Sequence, residues 1–82
     1  MKIKLSREEV LFLYAKGLRD FRWVDLTDLD LAEANLMDSD FTDCEFNGTR
    51  IRDTVFAYCK MQGAKFTNAI GKHLADFEGA LK

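Results

Sequence analysis

From Phe21 onward every fifth residue is large and apolar: Phe21, Leu26, Leu31, Leu36, Phe41, Phe46, Ile51, Phe56, Met61 and Phe66. Two positions before the next large residue stands a smaller one: Val24, Leu29, Ala34, Ser39, Cys44, Thr49, Thr54, Cys59 and Ala64. The other positions are mostly polar, as in Asp40, Thr42 and Asp43. A period of five matches neither the helical repeat near 3.6 nor the strand repeat of 2. It predicts a coil that turns a corner every five residues. Each side then points one large and one small side chain inward and leaves three positions in water.

The repeat is preceded by a different pattern. Ser6-Arg7-Glu8-Glu9 reads as a capping box, with Ser6 as N-cap and Glu9 reaching back to it. The helix it opens is expected over residues 7–16, and Gly17 suits the left-handed position that ends a helix. Val10, Leu11, Leu13, Tyr14 and Ala15 share a broad apolar face that can lie on the open core of the first coil. Phe12 falls on the opposite side, among Glu8, Glu9 and Lys16, either tucked by local packing or standing out as an apolar anchor. Past Asn68 the register slips. Ala75-Asp76-Phe77-Glu78-Gly79 resumes it as one further unit with one residue inserted. The expected single domain therefore comprises a capping helix at 6–17, the repeat at 19–68 and an irregular C-terminal coil at 69–82.

Ala34-Asn35-Leu36-Met37-Asp38 and Ala64-Lys65-Phe66-Thr67-Asn68 resemble the A-(D/N)-L-x-x unit of the pentapeptide-repeat family. The lead-in from Tyr14 to Phe21 resembles the entry segment of cyanobacterial members. The resemblance implies an all-β solenoid, a right-handed quadrilateral β-helix with four units per coil. Residues twenty apart would then stack in columns at about the 4.8 Å strand spacing. Phe21, Phe41 and Met61 form one inner column, and Leu26, Phe46 and Phe66 a second. Leu31 falls over Ile51, and Leu36 over Phe56.

Charge changes this picture only locally. The net charge of −2 gives no global instruction toward a partner. Yet residues 23–45 hold eight acids and no Lys or Arg, whereas residues 46–72 hold five bases and one acid. Stacking sets Asp40 over Lys60, Glu45 over Lys65 and Asp30 over Arg50, pairs expected to contribute roughly 0.2–1 kcal/mol each. Cys44 and Cys59 are too few for a disulfide framework and read as buried core thiols of a reducing, cytoplasmic compartment. The apolar run from Val10 to Ala15 is too short for a signal-peptide core or a bilayer span, so no membrane insertion is expected.

Candidate chemistry is sparse. His73 is the sole histidine, and no Gly-rich phosphate loop, metal-spaced Cys/His set or nucleophile elbow is present. The carboxylates recur because the units recur, which weakens any acid/base pair. No enzyme activity, cofactor, metal or small-molecule substrate is expected, nor direct nucleic-acid binding. One outward face breaks the polar pattern, where Met37, Val55, Ala57 and Tyr58 would form an apolar patch of the kind that marks contact sites. With Phe12 as a second site, these residues point to another protein or a second copy of the chain as partner. The expected function is a non-catalytic protein–protein interaction module, such as an accessory or assembly subunit of a larger complex. Family resemblance supplies an alternative, a DNA-mimicking binder of a type II topoisomerase; a purely structural spacer is the third reading.

Overall fold

Each five-residue unit is a short extended stretch followed by a β-turn. The carbonyl of the large residue accepts from the amide three residues on, as Leu26 does from Leu29 at 3.2 Å and Phe56 from Cys59 at 3.1 Å. The residue in the third turn position has a positive φ, including Asp28 at 62°, Asp38 at 65°, Asp43 at 59°, Gly48 at 69° and Asn68 at 60°. Glycine, Asn and Asp tolerate that left-handed conformation best, which explains their recurrence there. A second device steers the chain into the corner. The side-chain oxygens of Asp25, Asp30, Asn35 and Asp40 each accept from the amide two residues on, forming Asx turns.

The computed structural model describes residues 2–82 and shows these units wound into a four-sided stack. Parallel bridges join Asp20 to Asp40, Asp25 to Glu45, Asp30 to Arg50 and Asn35 to Val55, then continue to Lys60, Lys65 and Ile70. The separation is twenty residues throughout this range. It becomes twenty-one in the last coil, where Val55 meets Asp76 and Lys60 meets Leu81. Gly71, at φ 81°, and the 3-10 turn Lys72–Leu74 absorb the inserted residue. The stack resumes with Phe77 beneath Phe56.

Inside, the columns form as expected. Phe21 stacks on Phe41 at 5.4 Å, Phe46 on Phe66 at 4.8 Å and Phe56 on Phe77 at 5.3 Å, while rings in adjacent columns meet edge to face. The small inward residues solve a polar problem. Thr49 and Thr54 are fully buried, and their hydroxyls donate to the carbonyls of Leu26 and Leu31 one coil earlier, each at 2.6 Å. The thiols of Cys44 and Cys59 donate likewise to Phe21 and Leu36. Among the described residues Ser39 Oγ is the one buried side-chain polar atom without a partner.

The N-terminal end carries a cap of two parts. Strand β1 (Ile3–Lys4) pairs in parallel with β2 (Val24–Asp25) on the first coil. Helix α1 (Arg7–Ala15) follows, with Ser6 and Glu9 forming both bonds of the capping box. Val10 is its buried residue; Leu11, Leu13 and Tyr14 pack partly on the core, but Ala15 is exposed. Strand β1 was not expected, since alternating Lys2, Ile3, Lys4 and Leu5 is too short to read as a strand on pattern alone. Side chains of both parts donate to carbonyls of the first coil. Lys4 donates to the Thr27 carbonyl, Arg7 to Asp30 at 2.7 Å, and the Tyr14 hydroxyl to Met37 at 2.9 Å.

The core predicts a sharp sensitivity at Phe46, which contacts the rings of Phe41, Phe56 and Phe66. Phe46→Ala is expected to cost about 3–5 kcal/mol. That is most of the stability of a domain this small, so urea titration followed by circular dichroism should show it largely unfolded in buffer.

Candidate functional site

The four residues on the outward face do not share one environment. Tyr58 is 54 % exposed, Met37 and Val55 are half-buried, and Ala57 is only 5 % exposed. Ala57 therefore leaves the expected patch. Its short side chain sits in a column between the longer Met37 above and Glu78 below, and its carbonyl accepts from Asp38 at 2.9 Å. What remains is one exposed aromatic ring, and the hollow it borders is lined by Arg19, Asp38 and Lys60 rather than by Met37 or Val55. Phe12 is a separate feature: 61 % exposed on α1, with Lys16 Nζ 5.4 Å from its ring centre.

Tyr58 occupies the left-handed corner, at φ 60°. Most corners hold Asp, Asn or Gly, whereas a bulky aromatic residue there is conformationally costly. Next beneath it in the column is Gly79, at φ 67°. A β-carbon on Gly79 would come within 2.5 Å of Tyr58 Cδ1 and Cε1, so the ring lies directly across the glycine. The hydroxyl reaches Glu78 at 3.4 Å. One ring face is thus braced while much of the side chain stays in solvent. Trp23 also stands in a left-handed corner, at the other end of the stack, at φ 64° and 60 % exposed, with Lys2 Nζ 5.7 Å from its ring centre. Sequence reasoning passed over Trp23 because it stands in a stretch of acids. The signal that could have found it is the aromatic residue in a corner slot.

The charged columns behave differently from expectation. The bridges place Asp40 beside Lys60, Glu45 beside Lys65 and Asp30 beside Arg50, but none of these pairs closes to an ion pair. Ion pairs among the described residues join Lys2 to Glu45 at 3.8 Å, Arg22 to Asp20 at 2.8 Å and Arg52 to Asp53 at 3.7 Å. Asp20, Asp25, Asp30 and Asp40 instead hold their own corners through Asx turns. The Arg22 side chain and amide on Asp20 pull its carboxyl down to about 2.

Among the described residues no group of three His, Cys, Asp or Glu is placed to hold a metal ion, and no helix is long and apolar enough to cross a membrane. His73 lies exposed in the 3-10 turn. Burial pushes both thiols up from 9.0 to about 11. A raised thiol pKa favours the protonated folded form, a contribution complete below 9.0 and lost as pH climbs through 11. At pH 8 the thiolate fraction is accordingly reduced about a hundredfold. Iodoacetamide should leave Cys44 and Cys59 unmodified at that pH until denaturant is added, as mass spectrometry would show.

Comparison with known proteins adds three findings. The model of the family described as "Pentapeptide repeats" matches residues 20–56 and 34–70, with eight copies of the unit. No curated protein sequence matches. Among solved structures, the chain is similar to HetL, a pentapeptide-repeat protein involved in heterocyst differentiation regulation from the cyanobacterium Nostoc sp. strain PCC 7120. The TM-score is 0.88 at 26 % identity, over 93 % of this chain and 32 % of HetL. It is also similar in fold to alr5209, a pentapeptide-repeat protein from Nostoc PCC 7120, with a TM-score of 0.74 at 18 % identity, over 98 % of this chain and 77 % of that one. The chain spans about a third of the length of HetL.

Proposed function

Because the chain belongs to the pentapeptide-repeat family and so forms a right-handed quadrilateral β-helix, we propose that it is a non-catalytic protein–protein interaction module. In this reading it serves as an accessory or assembly subunit of a larger complex, and Tyr58 is the centre of one contact face. The observation that carries the reading is the aromatic ring braced in a corner. It is conformationally costly and exposes apolar surface, and the neighbouring corners show that Asp or Gly would do the structural task without either burden. A rigid, braced aromatic side chain loses little conformational entropy on docking, which is why such residues dominate interface energetics. Met37 and Val55 lie half-buried on the same side of the coil, and Phe12 offers a second anchor on α1.

The described residues measure 27 × 23 × 22 Å. That shape is nearly isometric, so they do not form the long acidic rod that mimicry of a DNA duplex requires. The basic second coil points the same way.

Tyr58→Asp tests the reading cleanly, since Asp fills the same corner at positions 28, 38, 43 and 53. Its melting temperature should match or exceed that of the parent. Association with a partner or a second copy should fall at least tenfold, a loss of about 1.4 kcal/mol or more, when measured by light scattering and by capture on immobilised chain. Unchanged association would remove Tyr58 from the contact face.

A further inference from the structure

The register gives the Tyr58 corner a charged neighbourhood. Asp38 and Tyr58 hold the same left-handed corner in successive coils. Two residues on along the strands, Asp20, Asp40 and Lys60 form a column joined by parallel bridges. Between the two columns lies a hollow of about 230 Å³, lined also by the buried Ser39 and by Arg19 from the first coil. It has room for the end of one side chain, since engineered cavities of about 150 Å³ hold benzene.

The charged groups around this hollow are unevenly committed. The Asp20 carboxylate accepts two bonds from Arg22, at 2.8 and 2.9 Å. The Arg19 guanidinium donates to the carbonyls of Tyr14 and Leu18, each at 2.9 Å, and its Cζ lies 3.6 Å from the centre of the Tyr14 ring. Asp40 uses Oδ1 for the amide and hydroxyl of Thr42, which leaves Oδ2. Asp38 and Lys60 form no ion pair among the described residues. Open carboxylate oxygens of Asp38 and Asp40 therefore flank Ser39 on one strand, with the exposed Tyr58 ring one coil on. One flexible ammonium, that of Lys60, stands against them. A planar cation is the complement of that arrangement.

We infer that the hollow takes the guanidinium of an arginine presented by a different protein, an inference that rests on the reading of Tyr58 as the centre of a contact face. A guanidinium carries its donors in one plane, so it bonds Asp38 and Asp40 while its face lies on the Tyr58 ring. The chain makes the same kind of contact within itself, where Arg19 covers Tyr14. A lysine ammonium is compact and lacks both the fork and the flat face. Lys60, beside Asp40 in its column, is the group that an arriving arginine displaces. A second copy is a poor source of that arginine. Arg7, Arg19 and Arg22 are engaged within the chain, and Arg50 and Arg52 stand two corners away, on the opposite side of the stack. Docking that side onto the hollow of another copy is head to tail, so it builds a chain or ring and not a two-fold dimer.

The variants for a test are ones this backbone accommodates. Asn occupies the left-handed corner at position 68 and forms the Asx turn at position 35, so Asp38→Asn and Asp40→Asn keep the coil intact. The ¹⁵N-labelled chain is titrated with blocked Gly-Ser-Gly-Arg-Gly-Ser-Gly and with peptides in which citrulline or Glu replaces the Arg. The Arg peptide should shift the amides of Asp38, Asp40, Tyr58 and Lys60, with a dissociation constant on the order of 1 mM. The citrulline and Glu peptides should bind about tenfold or more weakly. Asp38→Asn combined with Asp40→Asn should weaken the Arg peptide about fivefold or more at an unchanged melting temperature, and Tyr58→Asn should weaken it too. Lys60→Gln should strengthen it about threefold, because the competing cation is gone. Tighter binding of the Glu peptide, weaker Arg binding in Lys60→Gln, a double variant that binds like the parent, or no shifts at about 10 mM peptide would each overturn the inference. If association of the chain is lost on changing Tyr58 but is indifferent to Asp38→Asn and Asp40→Asn, the contact face stands and the arginine falls. Association indifferent to all three removes both.

Discussion

The direction of the backbone hydrogen bonds governs this molecule. Every strand runs parallel to the one above it at a separation of twenty or twenty-one residues, so every coil repeats the same orientation of amides and carbonyls. Each five-residue side sends two amides and one carbonyl toward the following coil, as Leu26, Asp28 and Val24 do, and the same count recurs coil after coil. The cationic N-terminal segment answers that bias. Lys4 and Arg7 sit where carbonyls are concentrated, and the buried Thr and Cys side chains occupy inward carbonyls left with a free lone pair. Conserving direction also forces a corner every five residues with φ above zero, which is why acids and glycines crowd those positions.

Seen this way, the acidic first coil and basic second coil are not chiefly glue between coils. Asp25, Asp30 and Asp40 spend an oxygen on their own turns, and the cations facing two of them stop short of ion-pair distance. Exposed pairs of that kind would in any case contribute little. The informative departures are the corners that ignore the local rule. Trp23 and Tyr58 put aromatic rings where the backbone prefers Asp, Asn or Gly, and places where a sequence breaks its own local consistency tend to be functional.

Much of the fold was legible because its period is unusual. Ten apolar residues spaced by five set the columns, and the inserted residue before Ala75 could be read from the shift of Phe77 alone. The capping box at Ser6 and Glu9 was equally plain. Other features lay beyond pattern. Ile3–Lys4 became a strand only because the first coil offers a parallel edge, a tertiary effect that two residues cannot announce. Ala57 looked outward and apolar, yet its burial depends on how far Met37 and Glu78 extend in the same column. The ladder of charged residues had the right register but the wrong partners, since side-chain carboxylates choose the nearest amide over a cation one coil away.

Residue-resolved amide hydrogen exchange tests this asymmetry most directly. In the isolated chain the amides of Phe46, Gly48, Phe56 and Tyr58, which donate to the following coil, should be strongly protected. Those of Phe66, Asn68, Phe77 and Gly79, one coil further on, should exchange nearly as fast as in an unstructured peptide. Comparable protection in both sets would contradict the account, in which the direction of the inter-coil bonds decides which amides have a partner.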